Sequence, residues 1–232
     1  MIYKNTIHGS FCSRKNRFVA EVMIEGRQET VHVKNTSRCR ELLLPGAEVV
    51  LERAGNPSRK TKYDLISVYK ESLGWVNIDS QAPNKIVREW LEGQDYDVVR
   101  PEYTIGDSRI DFYMEKGDQK YLMEVKGCTL EIDGIGYFPD APTERGIKHL
   151  RELKKAAQEG YQCYAAFVIQ MEGITEVRPN IETHREFGQA LEEAENAGVK
   201  VLYLGCAVTK DTLEITEVRE AAGNNVVISR NF

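Results

Sequence analysis

The sequence of 232 residues lacks a long hydrophobic run. Its longest uninterrupted apolar stretch has seven residues, from Cys163 to Ile169, whereas a membrane-spanning helix needs about 18 or more. A transmembrane helix is therefore excluded. The first ten residues, MIYKNTIHGS, also lack the apolar core of a secretory signal peptide, so we do not expect export by that route.

Cysteines are few and far apart, and no Cys-x-x-Cys motif occurs. The five cysteines are Cys12, Cys39, Cys128, Cys163 and Cys206. Their number is odd and the closest pair is 27 positions apart, which argues against a zinc knuckle and against a disulfide framework. The pattern is typical of a reducing compartment and predicts a cytoplasmic protein without membrane association.

Neither sign of charge is in large excess, with 31 Lys+Arg against 36 Asp+Glu. The distribution is uneven, because residues 1–80 carry 13 basic and 9 acidic residues whereas residues 81–232 carry 18 and 27. A basic first part joined to an acidic second part is one way to bind a polyanion while keeping carboxylates for another purpose. Compositional scatter between two domains accounts for the same numbers, and on charge alone we favour that explanation.

Residues 1–80 form the first predicted domain, an all-β unit of short strands. The predicted strands are 2–8, 17–24, 30–33, 48–53, 63–69 and 75–78. Five or six closely spaced strands without a helix predict a small closed barrel, and we favour an OB-like barrel because basic residues cluster at its strand ends and loops. The candidate nucleic-acid-binding residues are Arg14, Lys15, Arg17, Arg38, Lys60 and Lys62. Phe18, Tyr63 and Trp75 could offer stacking surfaces beside these charges, although each alone fits a core position.

Residues 81–232 form the second predicted domain, in which helices and strands alternate. Helices are predicted at 83–92, 143–158 and 184–197. Strands are predicted at 97–105, 109–114, 120–125, 163–169 and 200–208. Turn signals at Gly106 and Gly117 make the first three strands an antiparallel meander. The pattern is that of an α/β sandwich whose later strands are buried on both faces.

The most informative segment for chemistry lies on two strands of this meander. Asp111 interrupts an otherwise apolar strand, and Glu124 and Lys126 are two positions apart on the next strand, so they share one face. Pairing across the intervening turn brings the two carboxylates together. Burying both costs several kcal/mol unless a cation neutralises them, and oxygen ligands favour Mg²⁺ or Mn²⁺. An ordinary ion-pair ladder on a half-exposed sheet explains the same spacing.

Several longer stretches resemble the sugar fermentation stimulation protein A family. They are VHVKNTSR at 31–38, ELLLPG at 41–46, RKTKY at 59–63, SRIDF at 108–112, EVK at 124–126 and FPDAPTERG at 138–146, with shorter matches at 16–18, 83–84 and 148–150. An Asp followed by Glu-x-Lys on the next strand also resembles the PD-(D/E)xK nucleases. Two departures occur in one loop, where Lys34 replaces a family proline and Ser37 a family glycine.

The resemblance implies an OB-like barrel followed by a restriction-endonuclease-like α/β domain that binds DNA, with Asp111, Glu124 and Lys126 as catalytic residues. It implies that the two carboxylates hold Mg²⁺ or Mn²⁺. The family is also linked to the regulation of sugar-utilisation genes. The leading hypothesis is a sequence-nonspecific, metal-dependent nuclease whose DNA binding is sensitive to salt; the sequence leaves open whether that DNA is single- or double-stranded. The alternative is a DNA-binding regulator that does not cut; a sugar-processing enzyme is the weakest hypothesis.

Further candidates surround this site. Arg145 and His149 lie on one face of the predicted helix 143–158 and could contact a phosphate and orient a nearby group, or form a solvated surface. Asp140 could add an acidic contact, but we favour helix capping. Glu89 could be a further carboxylate ligand, but we favour surface exposure. His32 and Asn35 could bind phosphate or ribose oxygens, while a turn-stabilising role for Asn35 is simpler.

Overall fold

The computed structural model describes residues 1–56 and 58–221 and begins with a closed β-barrel. Its strands are β1 (Thr6–Asn16), β2 (Val19–Ile24), β3 (Arg27–Val33), β4 (Glu48–Arg53), β5 (Tyr63–Lys70) and β6 (Gly74–Asn77). They are ordered β3-β2-β1-β4-β5-β6, and a parallel pairing of β3 with β5 closes the first five into a barrel. The predicted OB-like barrel is thus confirmed.

The barrel forms because apolar residues alternate on its strands and turn residues separate them. Val22, Val31, Leu51 and Leu65 are fully buried inside it. Glu25 and Gly26 both have positive φ, 48° and 76°, in the two-residue turn between β2 and β3, a conformation that matches the twist of a hairpin.

The first strand was predicted in the wrong place. It was expected at 2–8, but β1 begins at Thr6 and continues to Asn16. Its second half is polar and largely exposed, and its pairing with β2 is irregular between Phe11 and Ser13 and again before Asn16. These irregularities disturb the two-residue alternation by which a strand is recognised. Ile2 instead forms a bridge to Thr212 of the second domain.

The second domain is a mixed sheet covered by helices on both faces. Its elements are α1 (Ala82–Glu92), β7 (Val98–Ile105), β8 (Ser108–Lys116), β9 (Gln119–Cys128), β10 (Leu130–Ile132), β11 (Ile135–Phe138), α2 (Glu144–Gln158), β12 (Gln162–Ile169), β13 (Val177–Pro179), α3 (Ile181–Asn196), β14 (Lys200–Val208) and β15 (Leu213–Glu220). The main sheet has the order β15-β14-β12-β9-β8-β7, and β9, β12 and β14 are parallel. The predicted α/β architecture is confirmed.

Helices α1 and α2 are held to opposite faces by apolar stripes at helical spacing. Ile86 and Leu91 of α1 join one buried cluster, whereas Ile147 and Leu150 of α2 join the other. The hydroxyl of Thr143 accepts a hydrogen bond from the Gly146 N–H, 3.1 Å away, and so caps α2. In the described part of the chain no helix is long and apolar enough to cross a membrane.

Three short strands, one longer edge strand and one helix start were missed. Strands β10, β11 and β13 form a small separate sheet, and β15 lies at the edge of the main sheet. Helix α3 begins at Ile181 and not at 184, and His184 has non-helical angles (φ −157°, ψ 89°) inside it. That kink breaks the 3.6-residue pattern which locates a helix. The end of the second predicted domain, 222–232, lies outside the described residues.

A buried polar contact joins the barrel to the second domain. The Gln170 side chain is 1% exposed and donates from its amide nitrogen to the side chain of Asn77 (2.9 Å) and the carbonyl of Asp79 (3.2 Å). The backbone N–H of Asn77 donates to the Gln170 carbonyl (2.9 Å). Gln170 also lies against Gly127, the residue after the Glu-x-Lys motif, so this contact fixes that strand relative to the barrel.

Replacing Gly127 by alanine is expected to destabilise the protein by about 1–3 kcal/mol, which is the usual cost of overpacking a tight site. A Cβ atom at Gly127 would clash with the Gln170 amide oxygen and lie 2.9 Å from Cγ of Pro83, and Gln170 cannot move without losing its two hydrogen bonds. Urea unfolding of the variant measures the change. Gly55→Ala is the control, since a Cβ there meets nothing within 4 Å; equal midpoints for the two variants would contradict the prediction.

Candidate active site

Strands β8 and β9 bring Asp111, Glu124 and Lys126 together. The two strands are antiparallel with Phe112 opposite Met123, so the next residues, Asp111 and Glu124, meet at the end of the ladder. The Asp111 carboxylate accepts the backbone N–H of Val125 (2.8 Å), and the Lys126 ammonium contacts the Glu124 carboxylate. The side chains therefore form one compact group of two acids and one cation.

Asp111 is held from the side by α1. The Asn84 side-chain amide donates a hydrogen bond to Oδ1 of Asp111 (2.7 Å), and Oδ2 accepts the N–H of Val125. Burial, followed by the charge of Glu124, raises the pKa of Asp111 above its ordinary value. The importance of Asn84 was not recognised from the sequence; the only signal was its place in a short stretch that matches the family.

Glu124 is the more deeply buried carboxylate, with its side chain 2% exposed. Burial alone would raise its pKa, but the charge of Lys126 and the hydrogen bond from His149 outweigh burial and lower the pKa. Its Oε1 contacts both Lys126 and His149, whereas its buried Oε2 has no hydrogen-bond partner. A buried oxygen without a partner is costly, and here it belongs to an ionised group.

His149 reaches the site from α2. The Arg145 Nε–H points at His149 Nε2 (3.4 Å), and the His149 Nδ1 side faces Glu124. If Nε2 accepts from Arg145, Nδ1 carries the proton that is donated to Glu124. His149 is buried and Arg145, one turn earlier, is exposed, so the arginine connects the acidic group to the surface.

The donor set fits a hard divalent cation. Within residues 1–56 and 58–221 no group of three or more His, Cys, Asp or Glu side chains is arranged to hold a metal ion. Asp111 and Glu124 offer two carboxylates side by side. Mg²⁺ is commonly bound by one or two carboxylates and keeps several water ligands. The unpartnered Oε2 of Glu124 is the oxygen that such an ion would satisfy.

Two family models match the chain in order along its length. Residues 12–78 match the N-terminal OB domain of the sugar fermentation stimulation protein family, and residues 81–212 match its RE domain. The chain belongs to the sugar fermentation stimulation protein family. A homolog from Desulfitobacterium hafniense is 54% identical over 217 residues, covering 92% of this chain and 95% of that protein.

Other relatives in this family support the same assignment. A sugar fermentation stimulation protein homolog from Clostridium beijerinckii is 48% identical over 221 residues, which cover 94% of this chain and 97% of that protein. The structure of Pyrococcus furiosus SfsA, solved in complex with Ca²⁺, is 26% identical with a TM-score of 0.82 and covers 95% of each chain. This similarity extends over both the barrel and the mixed α/β domain.

Lys34, which begins the loop 34–38, forms an ion pair. The Lys34 ammonium lies 2.9 Å from the Asp79 carboxylate, which is 0% exposed, and 3.6 Å from Asp64. Asn35 is buried, donates to the Ile78 carbonyl (2.9 Å) and accepts the Ser37 N–H (2.8 Å). This geometry is that of the turn-stabilising Asn.

The predicted basic residues of the barrel differ in whether their side chains are bonded to other groups of the protein. Arg14 donates to the carbonyls of Arg17, Asn35, Ser37 and Arg38 at 2.6–2.8 Å, so its guanidinium holds the loop together. Lys15 contacts Glu21, and its hydrogen bond lowers the pKa of that acid to about 2. Arg17, Arg38 and Lys60 are exposed and their side chains have no polar partner in the described ranges. Lys62 lies 3.8 Å from Glu29.

The remaining candidates lie away from the acidic group or have other partners. The carboxylate of Asp140 accepts the N–H of Cys39 (2.8 Å), so the expectation that it caps α2 was wrong, because Thr143 does so. Glu89 is exposed and pairs with the N-terminal ammonium (2.9 Å). His32 contacts Asp64 at 3.0 Å, and the same aspartate pairs with Arg59.

Proposed function

We propose that this protein binds DNA and hydrolyses its phosphodiester bonds with Mg²⁺ or Mn²⁺ held by Asp111 and Glu124. The observation that carries the proposal is the buried Glu124 Oε2, which is ionised, unpartnered and next to a second carboxylate. Pyrococcus furiosus SfsA was solved with Ca²⁺, another hard cation that prefers oxygen ligands.

Each residue of the group has a distinct role in this proposal. When bound, the ion stabilises charge on the phosphoryl oxygens and lowers the pKa of a coordinated water. The Lys126 ammonium orients the attacking water and offsets negative charge in the transition state. Asn84 and the Val125 N–H hold the Asp111 carboxylate in position, and His149 does the same for Glu124. Arg145, which is exposed, would contact the scissile phosphate.

Incubation of the purified protein with single- and double-stranded DNA tests the proposal. We expect cleavage with Mn²⁺ or Mg²⁺, no cleavage with a chelator, and loss of cleavage in Asp111→Ala. Arg88→Gln is the control, because Arg88 is exposed on α1 and pairs only with Glu92 in the described structure. Equal amounts of uncut DNA for the wild type, Asp111→Ala and the chelator sample would refute cleavage.

A second candidate is a DNA-binding regulator that does not cut. One observation favours it: Lys126 and His149 both occupy Oε1 of Glu124, so the protein partly neutralises this acid without a metal. The relatives' names refer to stimulation of sugar fermentation and not to a nuclease. Footprinting on genomic DNA separates the two candidates, since one protected sequence without cleavage favours the regulator.

A further inference from the structure

A cleft of about 780 Å³ lies between the barrel and the second domain. Arg17, Arg38 and Arg40 line it from the barrel, and residues 138–143 line it from the second domain. The volume is within the range of about 300–1,000 Å³ found for pockets that hold small molecules. This volume is large enough to hold part of a single strand.

The positive charges on the barrel side of this cleft are available for a ligand. Arg17, Arg38 and Arg40 are exposed, and the part of the chain that the structure describes offers no hydrogen bond or ion pair to their side chains. The backbone that carries Arg17 and Arg38 is held in shape by Arg14, which donates to both carbonyls, and by the buried amide of Asn35. On the opposite wall, Asp140 already accepts the N–H of Cys39.

An exposed aromatic residue directly follows Arg17 in the chain, although it is not itself one of the residues that line the cleft. Phe18 is 51% exposed in the turn between β1 and β2. Its N–H donates to the Asn16 side chain (2.9 Å) and its carbonyl accepts the Val33 N–H (2.9 Å), so the backbone under the ring is fixed. An exposed aromatic beside a cationic groove is the combination that binds single strands, because each base can stack on the ring.

Helix α2 begins at the cleft and carries a residue that contacts the acidic group. Thr143 lines the cleft and caps α2, and the same helix carries Arg145 and then His149, which contacts Glu124. At 1.5 Å per residue, His149 lies about 9 Å along the helix axis from Thr143. Helix α2 thus connects the wall of the cleft with the acidic group.

We propose that this cleft binds a single-stranded nucleic acid, with one base on Phe18 and backbone phosphates on Arg17, Arg38 and Arg40. The inference rests on the proposed function only for cleavage of the bound strand. Binding of the strand is argued from the cleft itself. The bases of a duplex are stacked on each other and cannot cover Phe18. Single strands are therefore the preferred substrate class, and stacking is insensitive to sequence.

The test is fluorescence anisotropy with the full chain and a chelator, so that binding is measured without cleavage. The probes are labelled DNA and RNA strands of about 12 nucleotides, within the site size of an OB fold, and a DNA duplex of equal length. We expect either single strand to bind at least about tenfold more tightly than the duplex. Phe18→Ala weakens single-strand binding about tenfold and changes duplex binding less than about twofold, while Phe18→Trp keeps the wild-type affinity.

Tyr69→Ala is the matched control, since Tyr69 is an exposed aromatic of the same barrel that borders a different hollow. It leaves all affinities unchanged. Duplex binding as tight as single-strand binding, or an equal effect of Phe18→Ala on both, overturns the inference. Single-strand preference without any cleavage when Mn²⁺ is added refutes the nuclease proposal and leaves the inference standing.

Discussion

Replacing Lys126 by methionine is expected to slow DNA cleavage about 1000-fold while leaving Mn²⁺ binding nearly unchanged. The Lys126 side chain is 14% exposed and its ammonium contacts Oε1 of Glu124. The other oxygen of that carboxylate, Oε2, is the one that we assign to the metal. Removing a group that orients water or stabilises transition-state charge typically costs factors of about 100 to 10,000. A 1000-fold loss corresponds to about 4 kcal/mol of activation free energy.

Lys126 is not one of the proposed metal ligands, so Lys126→Met is expected to change the cleavage rate without changing the affinity for Mn²⁺. Calorimetric titration with Mn²⁺ gives the affinity, and single-turnover cleavage gives the rate. Lys155→Met is the control, because Lys155 is an exposed lysine on α2 that pairs with Glu152 (3.1 Å) and is expected to keep the full rate. Cleavage by Lys126→Met at the wild-type rate would exclude the proposed role, and loss of Mn²⁺ binding would make Lys126 a structural residue of the site.

The meeting of Asp111, Glu124 and Lys126 could be expected from the sequence for a simple reason. Alternation along a strand puts positions 124 and 126 on one face, and a tight turn fixes the register of two neighbouring strands. The chain separation between Asp111 and Glu124 is short, so no long-range packing needs to be known. This pair is also supported by the apolar residues around it, which indicate burial.

The partners of the acidic pair were harder to predict because they come from distant elements. Asn84 reaches Asp111 from α1, and His149 reaches Glu124 from α2. Spacing shows which residues share a helix face, but not which strand that face contacts. His149 was recognised as a candidate, yet its buried contact with Glu124 depends on how α2 packs on the sheet.

The roles of the basic residues were also beyond sequence reasoning. A cluster of Arg and Lys in the loops indicates a polyanion site, but it does not show which members serve the protein's own loops. Arg14 donates to five carbonyls, whereas the side chains of Arg17 and Arg38 remain exposed. The carbonyls to which Arg14 donates come from five separate residues, so this role requires the folded conformation of the loop.

Replacing Lys34 by methionine is expected to lower the free energy of unfolding by about 3 kcal/mol. The ammonium of Lys34 is 2.9 Å from the carboxylate of Asp79, which is 0% exposed, and breaking a buried pair by removing one partner typically costs about 3–5 kcal/mol. We choose the lower end because Asp79 also accepts hydrogen bonds from the Tyr3 hydroxyl (3.2 Å) and the Gln81 N–H (2.9 Å). Urea unfolding measures the loss.

A double-mutant cycle assigns this loss to the charge pair. Adding Asp79→Asn to Lys34→Met removes the unpaired charge while keeping a polar side chain at position 79, so the double variant should be more stable than Lys34→Met alone. Lys62→Met is the matched control, because Lys62 is 71% exposed and 3.8 Å from Glu29, and it should change stability by less than about 0.5 kcal/mol. A double variant no more stable than the single one would mean that packing of the Lys34 stem, and not the buried charge of Asp79, holds this loop. Because Asp79 precedes α1, which carries Asn84 to Asp111, the same cycle measured on Mn²⁺ affinity shows whether the pair also positions the candidate metal site.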